Sequence, residues 1–317
     1  MAANTRIRLG RPSDIKAVDD VIQKHKMLKL EVIQTLKDLS EKAEGLVIEQ
    51  VEDKMWSTAG KMIGRGIIIG CGLASIILAP AAGLGAAIGI GGIVVGYLVY
   101  GGSKLYEMKC SREHAKKLKD ISDKVEAEVN RYTESQKKMF GELGTLSAFD
   151  AGQGFSDNLR LIRDIVERAE TEANRFFSNI DEVVAALKKC FNSLSEDKKR
   201  NLDAEDFLLT MSSLTKEASM PSKVNLGNFG SAAASVIGDA AGAAPWWEVF
   251  QGINVLINAG LICMDIKKFW ELNKMRAAWN EGGEAKQELL KNPIFKEELS
   301  MRDLIDKIRI QIADAGC

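Results

Sequence analysis

Between Arg65 and Lys104 the chain runs thirty-eight positions, residues 66–103, without a charged side chain, although 27% of its 317 residues are charged. As one helix this stretch would measure about 57 Å, against a hydrocarbon thickness of about 30 Å, so a single membrane crossing is excluded. Midway stands Ala79-Pro80-Ala81-Ala82-Gly83. Proline removes a backbone donor and clashes with the preceding turn, and glycine permits a reversal, so the stretch is expected to fold as an apolar helical hairpin about Pro80. The first arm offers fourteen uncharged positions, about 21 Å, a length more typical of a core helix. The second, 84–103, carries eight large aliphatic residues, which together favour insertion by roughly 2–5 kcal/mol.

Glycine spacing extends this expectation. Gly60/Gly64, Gly66/Gly70, Gly85/Gly89 and Gly92/Gly96 are pairs that let helix backbones approach closely in lipid, whereas in water each interior glycine costs about 1 kcal/mol against alanine. Both ends of the stretch are basic: Lys61 and Arg65 precede it, and Lys104, Lys109, Arg112, Lys116, Lys117 and Lys119 follow it. These cations suit an anionic leaflet and are assigned to lipid headgroup docking. Gly66, Gly70, Pro80, Gly85, Gly89, Gly92 and Gly96 are assigned to insertion. The element is expected to be conditional, shielded by neighbouring helices in one state and released into lipid in another. The plain alternative is a Gly/Ala-rich hairpin forming the core of a water-soluble bundle.

On either side, apolar residues recur at three- and four-residue steps. Ile15, Val18, Ile22, Leu28, Val32, Leu36, Leu39, Ala43, Leu46, Val51 and Met55 predict a helix from Ser13, its N-cap, to about Thr58, with a bend or break near Gly45. Leu105, Met108, Ala115, Leu118, Ile121, Val125, Val129, Tyr132, Met139 and Leu143 predict a second long helix, antiparallel to the first. After a Gly-containing break at 141–156, a third stripe runs from Phe155 to Phe191, and a shorter helix is expected near Leu202–Leu214. A second weakly charged region, 224–264, carries only Asp239 and Glu248. Trp246 and Trp247 suit an interfacial level there, and protonation of Asp239 and Glu248 is expected to favour insertion in acid. Residues 265–317 read as exposed amphipathic helices. The expected fold is all-α: long antiparallel helices flanking the apolar hairpin, with a C-terminal amphipathic region. The expected divisions are a membrane-active unit at 13–143, a helical middle at 144–220 and a C-terminal region at 221–317.

Little in the sequence supports catalysis. Its two histidines, His25 and His114, are expected on solvated helix faces and supply neither a metal set nor a triad. Five widely spaced cysteines make neither a disulfide framework nor a zinc site. Gly96 to Ser103 imitates a phosphate loop, but Gly102 stands where lysine is required. Ser195 and Lys198 have Ser-x-x-Lys spacing in a charged run that reads as a helix start capped by Ser195. With 43 basic and 44 acidic residues, net charge −1, no basic face for nucleic acid is indicated. The chain is expected to be a non-enzyme without cofactor or metal, cytoplasmic because no apolar signal segment follows Met1 and because its cysteine pattern suits a reducing compartment.

Three places together resemble the apolipoprotein L family: the glycine-rich hairpin with Leu78-Ala79-Pro80, the charged helix AKKLKDISDKVEAEV after it, and the run INVLINAGLICMDIKKFWELNKMRAAWNEGGEAKQELL with its Glu281-Gly282 pair. They cover roughly residues 50–135 and 246–310. The resemblance implies a helical, lipid-binding protein that inserts a hairpin, conducts ions or remodels membranes, and takes part in lipid transport or lipoprotein association. Ala81-Ala82 replaces a more polar turn after the proline. With no signal segment, the implied role is on intracellular membranes. The expected partners are anionic lipid, further copies of the chain in the membrane, and a helical protein met through the C-terminal region. Two other functions share the pattern: a helical pore-forming toxin with an apolar tongue, and a cytosolic coiled-coil scaffold.

Overall fold

The computed structural model describes residues 12–77, 84–142, 153–178, 184 and 246–315. Among them the fold is all-α, with helices α1 (Pro12–Ile77), α2 (Leu84–Glu142), α3 (Gln153–Ser178), α4 (Trp246–Glu281), α5 (Gly283–Leu290) and α6 (Lys296–Asp314). The hairpin arms are not separate elements. The first is the end of the sixty-six-residue α1, which runs unbroken through Gly45, and the second is the start of α2. A Cβ on Gly45 would meet nothing within 4 Å, so the neighbouring stripe residues Ala43, Leu46 and Val47 carry the packing there. Pro80 and its turn, and the predicted helix near 202–214, lie outside the described residues, as do Ser195 and Lys198. Between α4 and α5, Gly282 and Gly283 take φ of 72° and 53°, a region open to glycine at little cost.

The chain divides into two compact units, each assembled from separated stretches. Unit 1 comprises Met1–Glu49, Glu113–Glu172 and Gln287–Cys317; unit 2 comprises Gln50–Arg112 and Ala173–Lys286.

Unit 1 is built as a heptad-like pattern demands. Its α1 stripe buries Val32, Leu36, Leu39, Ala43, Leu46 and Val47; its α2 stripe buries Leu118, Ile121, Val125, Val129 and Tyr132. Ile162, Ile165 and Val166 of α3 join them. α1 and α2 are antiparallel here, since Arg131 donates to Glu31 at 2.9 Å and Lys117 to Glu49 at 2.5 Å. The C-terminal helix departs from expectation. α6 is not an exposed amphipathic appendage, because Met301, Leu304, Ile305, Ile308 and Ile312 are all buried. Arg302 pairs with Glu44 at 3.0 Å, and Lys29 donates to the carbonyl of Ala315 at 2.6 Å, satisfying a backbone acceptor at the helix end.

Both histidines also correct the sequence expectation. His25 is buried, bonded to Ser135 Oγ at 3.0 Å and tilted against the Tyr132 ring; burial, with Lys29 nearby, holds it below the usual imidazole range. His114 lies 2.9 Å from Glu298, a carboxylate only 1% exposed. A stripe marks where a helix packs but not what lies opposite, so a polar residue beside the stripe is buried once a third helix covers it.

Candidate functional site

In unit 2, stretches of α1 and α4 depart from the usual sorting of side chains. Between residues 56 and 77 of α1 the exposed positions are Trp56, Ile63, Gly66, Gly70, Leu73 and Ile77, all uncharged, while the segment's two charges, Lys61 and Arg65, are 3% and 1% exposed. α4 shows the same inversion. Its buried residues with described side chains are Asn254, Asn258, Asp265 and Leu272, four and seven apart on one face, while Leu256, Ile257, Ile266 and Trp270 are exposed, interleaved with exposed Lys267, Lys268 and Glu271. A helix packed by hydrophobic burial in water does the opposite.

The buried charges are paired, as a low-dielectric interior requires. The Arg65 guanidinium donates to Asp265 and, at 2.9 Å, to the Leu261 carbonyl, and lies 5.2 Å from the Tyr100 ring centroid. Lys61 and Lys104 share one oxygen of Glu107, at 2.5 and 3.1 Å. Burial pushes the Glu107 carboxyl up, but the two ammonium groups overcome it and hold it at about 2. Asp265 is raised, because burial outweighs the pull of Arg65, Lys61 and Lys268; Lys61 is lowered by burial, opposed by Glu107 and reinforced by Lys104. Tyr100 is pushed up to about 12 by burial, against Arg65. Further along, Tyr97 donates its hydroxyl to Asn254 Oδ1 at 3.1 Å, and Asn258 Nδ2 donates to the Asn254 carbonyl and to its Oδ1, each at 2.9 Å. These groups form one polar seam joining α4 to both hairpin arms.

Alongside the seam the arms meet through glycine. In unit 2 they run antiparallel: Gly64 and Gly96 face one another so closely that a Cβ on either would stand 2.7 Å from the other's carbonyl oxygen. Gly60 likewise faces Ser103, and Gly92 faces Cys71. Only glycine allows this approach.

The residues singled out from the sequence are dispersed. Gly92 and Gly96 lie at the contact between the arms; Gly66 and Gly70 are exposed, with nothing within 4 Å of a built Cβ. Gly85 and Gly89 fall in α2, with their surroundings outside the described residues; Pro80 and Asp239 are also outside them. Trp246, Trp247 and Glu248 open α4, and their side chains are not among those described. Of the docking cations, Lys109, Arg112 and Lys116 are exposed, Lys104 is held by Glu107, and Lys117 and Lys119 pair with Glu49 and Glu170. Lys61 and Arg65, expected to face a leaflet, are instead buried, because carboxylates from α2 and α4 reach them.

Sequence reasoning missed Glu107, Asp265, Asn254, Asn258, Tyr97 and Tyr100. One signal was available: Asp265 ends the uncharged run 249–264, as Arg65 precedes the run 66–103, so each of the two apolar regions is bordered by one member of an oppositely charged pair. Among the described residues no group of three or more His, Cys, Asp or Glu could hold a metal ion, and no helix is long and apolar enough to cross a membrane. No family model, curated protein or solved structure matches the chain.

Proposed function

We propose that this chain is a lipid-surface protein of the apolipoprotein L kind, which docks on anionic membranes and embeds unit 2 among acyl chains, on the cytoplasmic face of intracellular membranes. The observation that carries this reading is the inversion in residues 56–77 of α1, charge inside and apolar surface outside, joined by exposed Leu256, Ile257, Ile266 and Trp270 on α4. In water each exposed aliphatic group forfeits about 1 kcal/mol or more of burial, and lipid would recover it. Two further features support it. Trp270 and Trp279 sit under Lys274 and Lys286, at 3.7 and 4.1 Å to the ring centroids, pairs suited to the level of lipid headgroups. Lys109, Arg112 and Lys116 offer exposed positive charge beyond the second arm. The depth proposed is interfacial, which needs an outward apolar face and no spanning helix. Ion conduction and lipid transport belong to the family resemblance and would follow only from embedding.

Flotation with phosphatidylcholine vesicles containing phosphatidylserine tests this. The chain is expected to float, and Ile63→Glu with Ile77→Glu to reduce the floated fraction about tenfold while leaving the fold intact. Failure of the unaltered chain to float, or equal flotation of the double variant, overturns it. The first of those outcomes would favour a scaffold that presents the same face to a partner helix.

A further inference from the structure

We infer that α4 is a detachable strap, able to leave the hairpin arms as a unit while α1 and α2 remain paired. The two contacts are held by different physics. Arm against arm is a backbone approach through Gly64 and Gly96, with Ile68, Ile93 and Val94 buried beside it. Such packing has no substitute in water, so separating the arms loses it outright. Among its described side chains α4 is held mainly by polar groups: three of the four that are buried are Asn254, Asn258 and Asp265, and the bonds they make go to Tyr97, to Arg65 and within α4 itself. When such groups separate, water takes over most of their hydrogen bonds, so the net cost of opening is small for the area uncovered. Two buried amide atoms gain from opening, since Asn254 Nδ2 and Asn258 Oδ1 have no hydrogen-bond partner among the described residues.

The seam also explains why the strap closes in one register. Arg65 accepts only a position of α4 that brings Asp265 and the Leu261 carbonyl together, and a slip by one turn would strand a buried guanidinium. What the strap uncovers is the seam side of both arms, and its consequence for membranes rests on the lipid reading above.

Native-state hydrogen exchange on the full chain without lipid tests the device directly. Amides at 252–266 are expected to exchange at least about tenfold faster than those at 60–72 and 92–104. Asn254→Leu with Asn258→Leu and Tyr97→Phe should slow the α4 amides about tenfold and leave the arms unchanged, because the seam then closes on apolar groups with no polar partner left behind. Asp265→Ala should speed them at least about tenfold, by leaving the Arg65 guanidinium without its side-chain acceptor. If the triple variant fails to fold, Asn258→Leu alone, which keeps the Tyr97–Asn254 bond, carries the test. One common rate for all three segments, or an equal response of arms and α4 to the variants, overturns the strap. Adding phosphatidylserine-containing vesicles separates the two readings. A fast α4 without vesicle binding keeps the strap and removes the lipid role; binding with α4 fully protected does the reverse.

Discussion

Units 1 and 2 are both built of long helices, but they sort polar and apolar side chains differently. In unit 1, α6 places Met301, Leu304, Ile305 and Ile308 inside, and its buried carboxylate, Glu298, is matched by His114. In unit 2, α4 places Asn254, Asn258 and Asp265 inside and leaves Leu256, Ile257, Ile266 and Trp270 outside. Among the described residues, the exposed large apolar side chains of unit 1 are Met27, Leu30, Leu161, Ile294 and Ile310; unit 2 has twice as many. The difference teaches that regular helical packing is compatible with either sorting, provided every buried charge finds its opposite. It also sets where the proposed change of solvent would act, on unit 2, whose described residues expose more apolar side chains.

Four measurements would break or sharpen this contrast. Asp265→Ala should have the largest effect, costing unit 2 about 3–5 kcal/mol in urea titration, because it strands the Arg65 guanidinium in a dry seam. A loss below 1 kcal/mol would mean that water reaches the seam. In unit 1, Ile308→Ala should cost about 2–5 kcal/mol by leaving a cavity, whereas removing an apolar residue from the outside of unit 2 should cost almost nothing.

Acid should separate the units next. Glu107, held at about 2 against an ordinary 4.5, contributes about 3 kcal/mol that is fully present above pH 4.5 and lost as pH falls from 4.5 towards 2. Asp265 has the opposite sign, since a raised carboxyl binds its proton more readily when folded, so acid adds stability through it. Unit 2 should therefore hold between pH 7 and pH 5. His25, lowered in unit 1, contributes stability above the ordinary imidazole value of 6.5 that is lost as pH falls through it and towards the folded value. The first loosening on acidification should appear in exchange of unit 1 amides, and His25→Gln should abolish it. Loosening of 60–72 first would contradict the assigned signs. Smallest of all, Ile257→Ser should shift folding stability by no more than about 0.5 kcal/mol while lowering vesicle flotation.

Much of the framework was legible. The three- and four-residue steps marked Val32, Leu36, Leu118, Val125 and Ile162 as buried, and the end of α2 and the start of α3 fall within two residues of the stripe ends. Helical periodicity is a local property, so it survives without knowledge of partners. The candidate site was far less visible. Lys61 and Arg65 have the spacing of ordinary surface cations, and Asn254, Asn258 and Asp265 lie in a region whose composition suggests only weak polarity. Gly60/Gly64 and Gly66/Gly70 are indistinguishable as patterns, yet one pair faces the opposite arm and the other faces outward.

From the amino-acid order alone came the helices, their stripes, the two uncharged runs and the demand for a reversal between them, because each depends on neighbours a few residues apart. Burial of Arg65 against Asp265, two hundred positions away, and the outward turn of Ile63, Ile77 and Trp270 came only with the tertiary fold. A charge can enter a protein interior only where its opposite is already held, and no local pattern says which distant residue will arrive there.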